Sequence, residues 1–294
     1  GTATGTTGAK LFVTPAKLAT RNSSLFKFGG TGADGALAIT SGATNIDCAN
    51  AAIVTKNYTS ISISGSGSLT FTNPHANGTI ITLKSQGNVT ITSSTVPAIT
   101  LVGMGAAGGA DGTTAGVNGN KGNSNIILQT DYGRGGVRQT GATTSGVALG
   151  TFISTISSKF VPLFCGGGGG GGSTGNGSVA GQGGGGGSSA INAGPNASVA
   201  GNYGTGTAGD GSIGGGALYI ECAGAYNASS TISVAGTAGV NGASSQGLGG
   251  GGGAGGTIII LYNSLTSNTG TYTVAGGAGG SSEGGNSIWP GGAG

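Results

Sequence analysis

The chain has 294 residues, of which 72 are glycine, about three times the usual share of roughly 7%. Only 6% of its residues are charged, and its formal net charge at pH 7 is +3. Glycine is among the poorest helix formers, so this composition excludes an ordinary helical domain. A charge of +3 spread over the whole chain gives no field that would hold phosphates, which excludes a nucleic-acid-binding protein. No apolar stretch approaches the ~20 residues of a membrane-spanning helix.

The first predicted element is an N-terminal docking segment, residues 1–28, which combines positive charge with large apolar side chains. Four of the ten basic residues fall here and no acidic residue does. Thr14-Pro15 predicts the start of a short helix, because proline fits the first helical position. Two interpretations remain open for this segment. It is either an anchor that docks on a neighbouring subunit or an envelope, or a lid that covers the open end of the fold behind it.

Residues 29–102 show the alternation of apolar and polar residues that is typical of β-strands. Turn signals such as Ser-Gly, Asn-Pro and Asn-Gly separate strand starts that lie roughly 8 to 12 residues apart. This spacing fits a β-solenoid or a sandwich, and inward Ile, Leu and Val with outward Ser and Thr favour the solenoid. The predicted strands are residues 36–40, 52–55, 60–64, 68–72, 79–83, 89–92 and 99–102.

Residues 103–294 contain 60 of the 72 glycines. A flexible linker is one interpretation of such a composition, but strand-like units interrupt the glycine at regular places. Residues 217–236 align without gaps on residues 257–276, an offset of 40 residues, with glycine on both sides of each unit. Residues 79–92 look like a glycine-poor version of the same unit. The region is therefore predicted to be a folded repeat of strand, turn, strand and glycine segment.

Ordering glycine backbone carries a large entropic cost, so a folded glycine run needs a compensating interaction. Glycine helices of the polyproline II type have no side chains, so they can pack closely and satisfy one another's N–H and C=O groups. A Cβ that faced a neighbour would force two such helices apart. The sequence thus predicts a lattice of packed polyglycine II helices, with Gly166, Gly169, Gly172, Gly185 and Gly251 among its members.

The predicted fold class is accordingly all-β. β-solenoid-like or sandwich strands in residues 29–102 are followed, in residues 103–294, by strand and glycine repeats with packed polyglycine II helices. The docking segment, residues 1–28, precedes both regions.

Glycine runs alternate with units such as Thr257–Asn263 and Tyr272–Gly280, behind a leader that includes Phe28–Gly35 and Lys56–Ile63. Over residues 26–280 this arrangement resembles glycine-rich phage tail-fibre and bacterial surface proteins. In that group, the tip adhesins of T-even-like phages have polyglycine II sandwiches and bind bacterial surface receptors through loops between glycine runs. The loops of this chain are poor in aromatic and charged residues, which favours a shaft or filament component over a receptor tip.

Few residues are candidates for catalysis or for binding a metal or cofactor. The single histidine, His75, lies in a predicted turn and has no nucleophile elbow beside it. Asp47 and Glu221 lie in or beside predicted strands, so they are the candidates for the paired carboxylates of a surface-glycan depolymerase. The remaining acidic residues read as turn residues where they precede glycine, as at Asp34, Asp111 and Asp210. No catalytic residue, cofactor-binding site or metal site is predicted.

Cysteines and aromatic residues leave further alternatives open. Cys48, Cys165 and Cys222 allow at most one internal disulfide, and their wide spacing does not suggest a metal site. Aromatic side chains could either seal the edges of a solenoid or stack on sugars. These aromatic residues are Tyr203, Tyr219, Tyr226, Tyr262, Tyr272 and Trp289.

The sequence therefore predicts a non-catalytic, extracellular structural protein, a fibre or filament subunit that assembles with copies of itself on a cell surface or a virion. Apolar side chains near both ends of the chain are expected to make the contacts between subunits. These residues are Phe12, Leu18, Phe26 and Trp289. One alternative is a phage tail-fibre adhesin that binds a bacterial surface receptor or glycan, and the other is the surface-glycan depolymerase.

Overall fold

The computed structural model describes residues 28–112, 117, 119–123, 163–172, 186–187, 208–243 and 248–281. These residues form β-strands and extended segments and contain no helix, so the described part of the chain is all-β as predicted. The short helix expected at Thr14-Pro15 lies outside the described residues.

Ten strands form one sheet in which every strand pair is parallel. Each strand predicted between residues 36 and 102 is present, although the two segments on either side of Gly65 form one continuous strand. The strands are β1 (Ala36–Asp47), β2 (Ile53–Tyr58), β3 (Ser60–Thr72), β4 (Ile80–Ser85), β5 (Val89–Ile91), β6 (Ile99–Thr100), β7 (Ala217–Ala228), β8 (Ile232–Ser233), β9 (Thr257–Asn268) and β10 (Tyr272–Thr273).

The strand pairs line up in three ladders. The first ladder runs from β2 to β4 and on to the N-terminal halves of β7 and β9. The second runs from the start of β1 through β3 and β5 to the C-terminal halves of β7 and β9. The third runs from the end of β1 through the end of β3 to β6, β8 and β10. The long strands β1, β3, β7 and β9 each take part in two ladders.

One apolar core is built from side chains of all three ladders. Within a ladder, equivalent positions stack directly, so Ile81 pairs with Leu218, and Leu83 pairs with Ile220. All four of these side chains are fully buried. The second ladder contributes fully buried side chains such as Ile61, Ile63, Val89 and Ile91, and the third contributes Leu69, Ile99 and Ile232.

The 40-residue offset in the sequence corresponds to the pairing of neighbouring strands. Ala217 pairs with Thr257, and Ile232 pairs with Tyr272, each 40 positions later. The glycine-poor unit, residues 79–92, lies in the next row of the same ladders, since Ile80 pairs with Ala217. Strands from both the 29–102 region and the 103–294 region therefore belong to one sheet.

Extended glycine-rich segments connect the third ladder to the first and pack against one another through backbone hydrogen bonds. We call residues 105–112, 163–172, 208–216, 234–243, 248–256 and 274–281 the glycine segments. The bonds between two segments recur at every third residue. N–H groups of the first glycine segment donate at 2.9–3.1 Å to carbonyls of the second, in the pairs Ala106–Gly166, Gly109–Gly169 and Gly112–Gly172.

The same three glycines bond a different neighbour with their own N–H groups. These donate at 2.8–2.9 Å to carbonyls of the 208–216 segment, in the pairs Gly166–Gly215, Gly169–Ser212 and Gly172–Gly209. The carbonyls of Gly167 and Gly170 accept N–H groups of the 248–256 segment, from Ala254 and Gly251 respectively. One run of glycines therefore bonds at least three neighbouring segments, and all of Gly166–Gly172 is buried.

Packing between the glycine segments leaves no room for side chains. A Cβ at Gly166 would lie 2.1 Å from the carbonyl oxygen of Ala254, and a Cβ at Gly169 would lie 2.1 Å from that of Gly251. At Gly172 the nearest backbone atom, the carbonyl oxygen of Leu248, would be 2.9 Å away. Because the obstacles are backbone atoms, relief would require whole segments to move. Gly185 lies outside the described residues.

We expect Gly169→Ala to lower the free energy of unfolding by about 1 to 3 kcal/mol, because its methyl group overpacks a backbone contact. In a flexible linker the same change would be neutral or slightly stabilising through the unfolded state. Chemical denaturation measures the difference. Ala110→Ser, at an exposed position of a neighbouring glycine segment, is the control and should leave stability unchanged. Equal stability of Gly169→Ala and the unmodified protein would contradict the close packing.

Candidate functional site

Several residues singled out in the sequence cannot be placed. The four expected assembly residues lie outside the described residues. So do Tyr203, an aromatic candidate, and Gly185, a predicted member of the glycine lattice, and the roles of all six remain predictions. These residues are Phe12, Leu18, Phe26, Gly185, Tyr203 and Trp289.

His75 stabilises the loop that contains it. Its Nδ1 accepts a hydrogen bond from the backbone N–H of Asn77 at 3.0 Å, so the neutral ring carries its proton on Nε2. The Asn123 side-chain amide lies 3.3 Å from the same nitrogen and also donates to the carbonyl of Gly78 at 2.7 Å. The backbone N–H of His75 donates to Thr79 Oγ1 at 2.9 Å. These contacts join the loop before β4 to residues 119–123.

Asp47 and Glu221 do not form a pair. Asp47 ends β1 in the third ladder, whereas Glu221 lies on β7 in the first ladder. Counted along the ladders, β1 and β7 are three strands apart. At ~4.8 Å per strand, Asp47 and Glu221 are therefore separated by about 14 Å in the direction in which the strands stack. Glycosidases place their two carboxyl groups closer than this, at roughly 5 to 9.5 Å. The depolymerase interpretation therefore has no support from these two residues.

Asp47 organises a turn. Its Oδ1 accepts a hydrogen bond from the backbone N–H of Ala49 at 2.8 Å and another from the Asn73 side chain at 3.0 Å. These two bonds hold the pKa of the Asp47 carboxyl below its usual value. Ala49 has a φ of +48° and Asn73 a φ of +51°, a conformation that alanine seldom adopts. The carboxylate thus stabilises the tight connection between β1 and β2.

Glu221 is a buried carboxylate, with 6% of its surface exposed, and it is fully occupied by partners. One oxygen accepts the backbone N–H of Gly29 at 2.6 Å. The other lies 3.0 Å from Lys84 Nζ and 3.4 Å from the Tyr219 hydroxyl group. Burial and the adjacent Glu221 carboxylate raise the pKa of Tyr219. This arrangement fixes a chain segment to the sheet and leaves no carboxylate oxygen available for catalysis.

The segment held by Glu221, residues 29–35, crosses the strands of the first ladder, and we call it the strap. Its first residue contacts β7, as described above, and its end contacts β2. There Asp34 donates its N–H to the carbonyl of Asn57 at 2.8 Å, and its Oδ2 accepts the N–H of Asn57 at 2.6 Å. Asp34 also lies 3.8 Å from Lys56 Nζ. Gly30 and Gly32 both have a φ of +74°, which allows the strap to turn closely over the sheet.

The described residues contain no group of three or more His, Cys, Asp or Glu side chains that could hold a metal ion. Asp111 and Asp210 do approach one another, but Asp210 Oδ1 accepts the backbone N–H of Asp111 at 2.7 Å. This contact joins two glycine segments. Like Asp34, Asp47 and Glu221, Asp210 has a structural role.

The most distinctive exposed surface is the far edge of the sheet. We call it the terminal edge, and it consists of β9, which pairs only with β7 among the described residues. Leu261 and Tyr262 are each 44% exposed, and Leu265 is 48% exposed. Tyr262 is exposed even though it pairs with Cys222 on β7, whose side chain is fully buried. Contiguous exposed apolar residues typically mark an interaction site.

Aromatic residues reinforce the terminal edge. The rings of Tyr226 and Tyr262 are stacked, with centroids 6.0 Å apart and planes inclined by 16°. Tyr226 is buried, and its hydroxyl group lies 3.1 Å from that of Tyr272, which in turn donates to Asn268. Burial and the hydrogen bond with Tyr272 raise the pKa of Tyr226. Of these tyrosines, Tyr226 is buried one row inside the terminal edge, and Tyr262 on the edge is 44% exposed.

Comparison with known proteins gives no match: no family model fits the sequence, and neither a curated protein nor a solved structure is similar to it. The described part of the chain contains no helix that could span a membrane.

We expect Glu221→Ala to lower the free energy of unfolding by about 1 to 3 kcal/mol, because it leaves the buried N–H of Gly29 without its acceptor and Lys84 without its counter-ion. Glu221→Gln should be milder, since an amide oxygen can still accept from Gly29. Thr266→Ala, at an exposed position of β9, is the control and should change stability by less than about 0.5 kcal/mol. Thermal unfolding of the three variants tests this order. Unchanged stability of Glu221→Ala would show that the strap is held by other contacts.

All three cysteines are buried thiols. Burial raises the pKa of Cys165 to about 12 and also raises the pKa of Cys48 and Cys222. The reactive thiolate form is therefore scarce at pH 8. We expect the folded protein to react negligibly with Ellman's reagent at pH 8 and the denatured protein to release three equivalents of chromophore. Rapid reaction of any thiol before unfolding would contradict the burial.

Proposed function

We propose that this protein is a non-catalytic, extracellular structural subunit that assembles with copies of itself into a fibre or filament. The observation that carries the proposal is the set of glycine segments whose backbones bond one another directly. Such packing uses no charged side chains. In the described glycine segments, it also engages backbone N–H and C=O groups that a protease would otherwise bind. His75 and the carboxylates of Asp34, Asp47, Asp210 and Glu221 are engaged in structural hydrogen bonds, which agrees with a supporting role.

We further propose that the strands form a β-solenoid. The three ladders share one core, and successive strands of each ladder follow in the same order along the chain, as coils of a solenoid do. Ig-like sandwiches consist of antiparallel sheets, whereas the described strand pairs are all parallel. Stacked coils extend along one axis, which suits a fibre component.

The glycine segments are proposed to be polyglycine II helices. Helices of this kind have ~3 residues per turn and no internal hydrogen bonds, so successive N–H groups point to different neighbours. The three-residue recurrence of bonds around Gly166–Gly172 supports this conformation. So does the close approach of backbone carbonyls to the Cβ positions of Gly166 and Gly169.

A phage tail-fibre adhesin is the second candidate, and Tyr262 favours it. Its ring is exposed and rests on a buried tyrosine, and such rigid aromatic faces suit stacking against sugars. The resemblance to glycine-rich phage and bacterial surface proteins points the same way. In this case the partner is a bacterial surface receptor or glycan, and the protein acts at the surface of a virion.

Electron microscopy of the purified full chain tests the first candidate. We expect fibres or regular oligomers at high concentration, and uniformly monomeric particles would overturn the proposal. Deleting residues 1–24, or changing Trp289→Ala, should abolish fibre formation and leave the β-rich circular dichroism spectrum intact. The matched control is Val96→Ala, which shortens a side chain that is 74% exposed. Normal assembly of both end variants would show that the contacts lie on the strands or glycine segments.

The adhesin candidate makes a different prediction. Labelled protein should bind saturably to whole cells of one bacterial host, and Tyr262→Ala should weaken that binding without affecting assembly. Absence of retention on every candidate envelope would exclude it.

A further inference from the structure

The two ends of the first ladder differ in their protection against strand addition. At the β2 end, Lys56 occupies the register position that Leu83, Ile220 and Ile260 occupy in the following rows. Its Nζ lies 3.8 Å from Asp34 Oδ1. A charged side chain at a core position of an edge strand is a common device against edge-to-edge pairing. The strap adds to this protection, because it bonds the N–H and C=O of Asn57 on β2.

Among the described residues, the terminal edge has no such protection. β9 reads TIIILYNSLTSN and contains no charged residue, proline or glycine. Ile258 and Ile260 continue columns in which Leu218 and Ile220 are fully buried, but they are themselves only half-buried. The apolar core thus reaches the terminal edge without a closing layer among the described residues.

We propose that the terminal edge pairs with the same edge of a second copy, so that two β9 strands run antiparallel across a two-fold axis. The proposal rests on the self-assembly proposed above and names the surface that begins it. A two-fold contact uses the same patch on both subunits, and this is the commonest symmetry among soluble oligomers.

The sequence of β9 fixes the register of this contact. Its apolar residues lie between Ile258 and Tyr262, followed by the polar residues Asn263 and Ser264. A two-fold axis at Ile260 places Ile258 opposite Tyr262 of the second copy, and Ile259 opposite Leu261. The five pairs between Ile258 and Tyr262 are then apolar, whereas Thr257 falls opposite Asn263. Pairs of aromatic and β-branched residues stabilise antiparallel strands. An axis nearer the centre of β9 would set isoleucines against polar side chains.

Head-to-tail addition is less favourable at this edge. If β2 of a second copy continued the ladder in parallel register, Lys56 would lie opposite Ile260. The ammonium group and its partner Asp34 would lose water against an apolar surface, and a desolvated ion pair seldom recovers that cost. In a fibre built as we propose, the repeating unit is therefore a symmetric dimer, and other surfaces join the dimers.

Sedimentation velocity over a range of concentrations tests the contact on the full chain. We expect a dimer that Leu261→Lys weakens at least tenfold, because a lysine on β9 supplies the protection that this edge lacks. Leu261 is 44% exposed, so a lysine there can reach water and the monomer should fold normally. Thr266→Lys makes the same charge change on the same strand outside the apolar part, and it should shift the dissociation constant less than twofold.

Cross-linking tests the register. With an axis at Ile260, Ile260→Cys places two thiols opposite each other, and copper-phenanthroline oxidation should yield a disulfide-linked dimer. Thr266→Cys is the control and should remain uncrosslinked. The three native cysteines are buried and should not contribute.

The outcomes separate this contact from the proposed function. Fibres that resist Leu261→Lys, or an Ile260→Cys protein that does not cross-link, would overturn the contact and leave the structural function standing. Dimers that are lost in Leu261→Lys but never form fibres would support the contact and overturn the fibre. A chain that dimerises only after residues 1–24 or 282–294 are removed would show that its own terminus covers β9, and the proposal would then be wrong. A monomer under every condition would overturn both.

Discussion

The structure depends on the close approach of backbones that carry no side chains. Buried N–H and C=O groups need partners, and in most folds a helix or a sheet supplies them locally. Here the run Gly166–Gly172 finds its partners in segments that are distant in sequence, at residues 105–112, 208–216 and 248–256. The Cβ distances of about 2 Å at Gly166 and Gly169 show why the composition is extreme: the contact itself selects glycine. The unusual composition follows from this geometry.

The glycine packing and the ladders support one another. Five of the six glycine segments adjoin a ladder: 105–112, 234–243 and 274–281 follow strands of the third ladder, and 208–216 and 248–256 precede strands of the first. The stacking of strands therefore sets the positions of these segments. The fixed row spacing gives neighbouring segments the same spacing. The glycine segments also contact the strands: Leu163 and Cys165, from the 163–172 segment, pack with Ile80 and Ala217. The shared arrangement offsets the entropy of ordering so much glycine.

Local patterns in the sequence were sufficient to predict the strands. Alternation located β1 to β6, although it marked only residues 36–40 of β1, which continues to Asp47. The 40-residue offset matches the pairing of β7 with β9 from Ala217 to Cys222, but register shifts change it at Ala225 and Tyr226. Residues 29–102 and 103–294 differ in glycine content, and this difference gives no indication that strands of both regions belong to one sheet. The reason is that strands 137 positions apart, such as those of Ile80 and Ala217, pair without any local signal.

The functional surfaces were harder to anticipate. Glu221 attracted attention as a possible catalytic group, but its partners Gly29 and Lys84 are 192 and 137 positions away, and only the register of the ladders brings them together. Lys56 and Ile260 look unrelated in sequence, and their equivalence emerges only when three strand pairings are followed in turn. Edges are properties of the whole sheet. A single strand does not reveal whether another will lie beside it.

The three-residue recurrence of bonds around Gly166–Gly172 has a consequence for how this chain can change length over evolution. In the polyglycine II conformation proposed above, one residue inserted in a glycine segment would rotate every later residue by about a third of a turn and present the wrong groups to each neighbour. Inserting three residues would restore the alignment and only lengthen the segment. Viable insertions and deletions in these segments should therefore come in multiples of three amino acids, a reading frame imposed by packing and not by the genetic code.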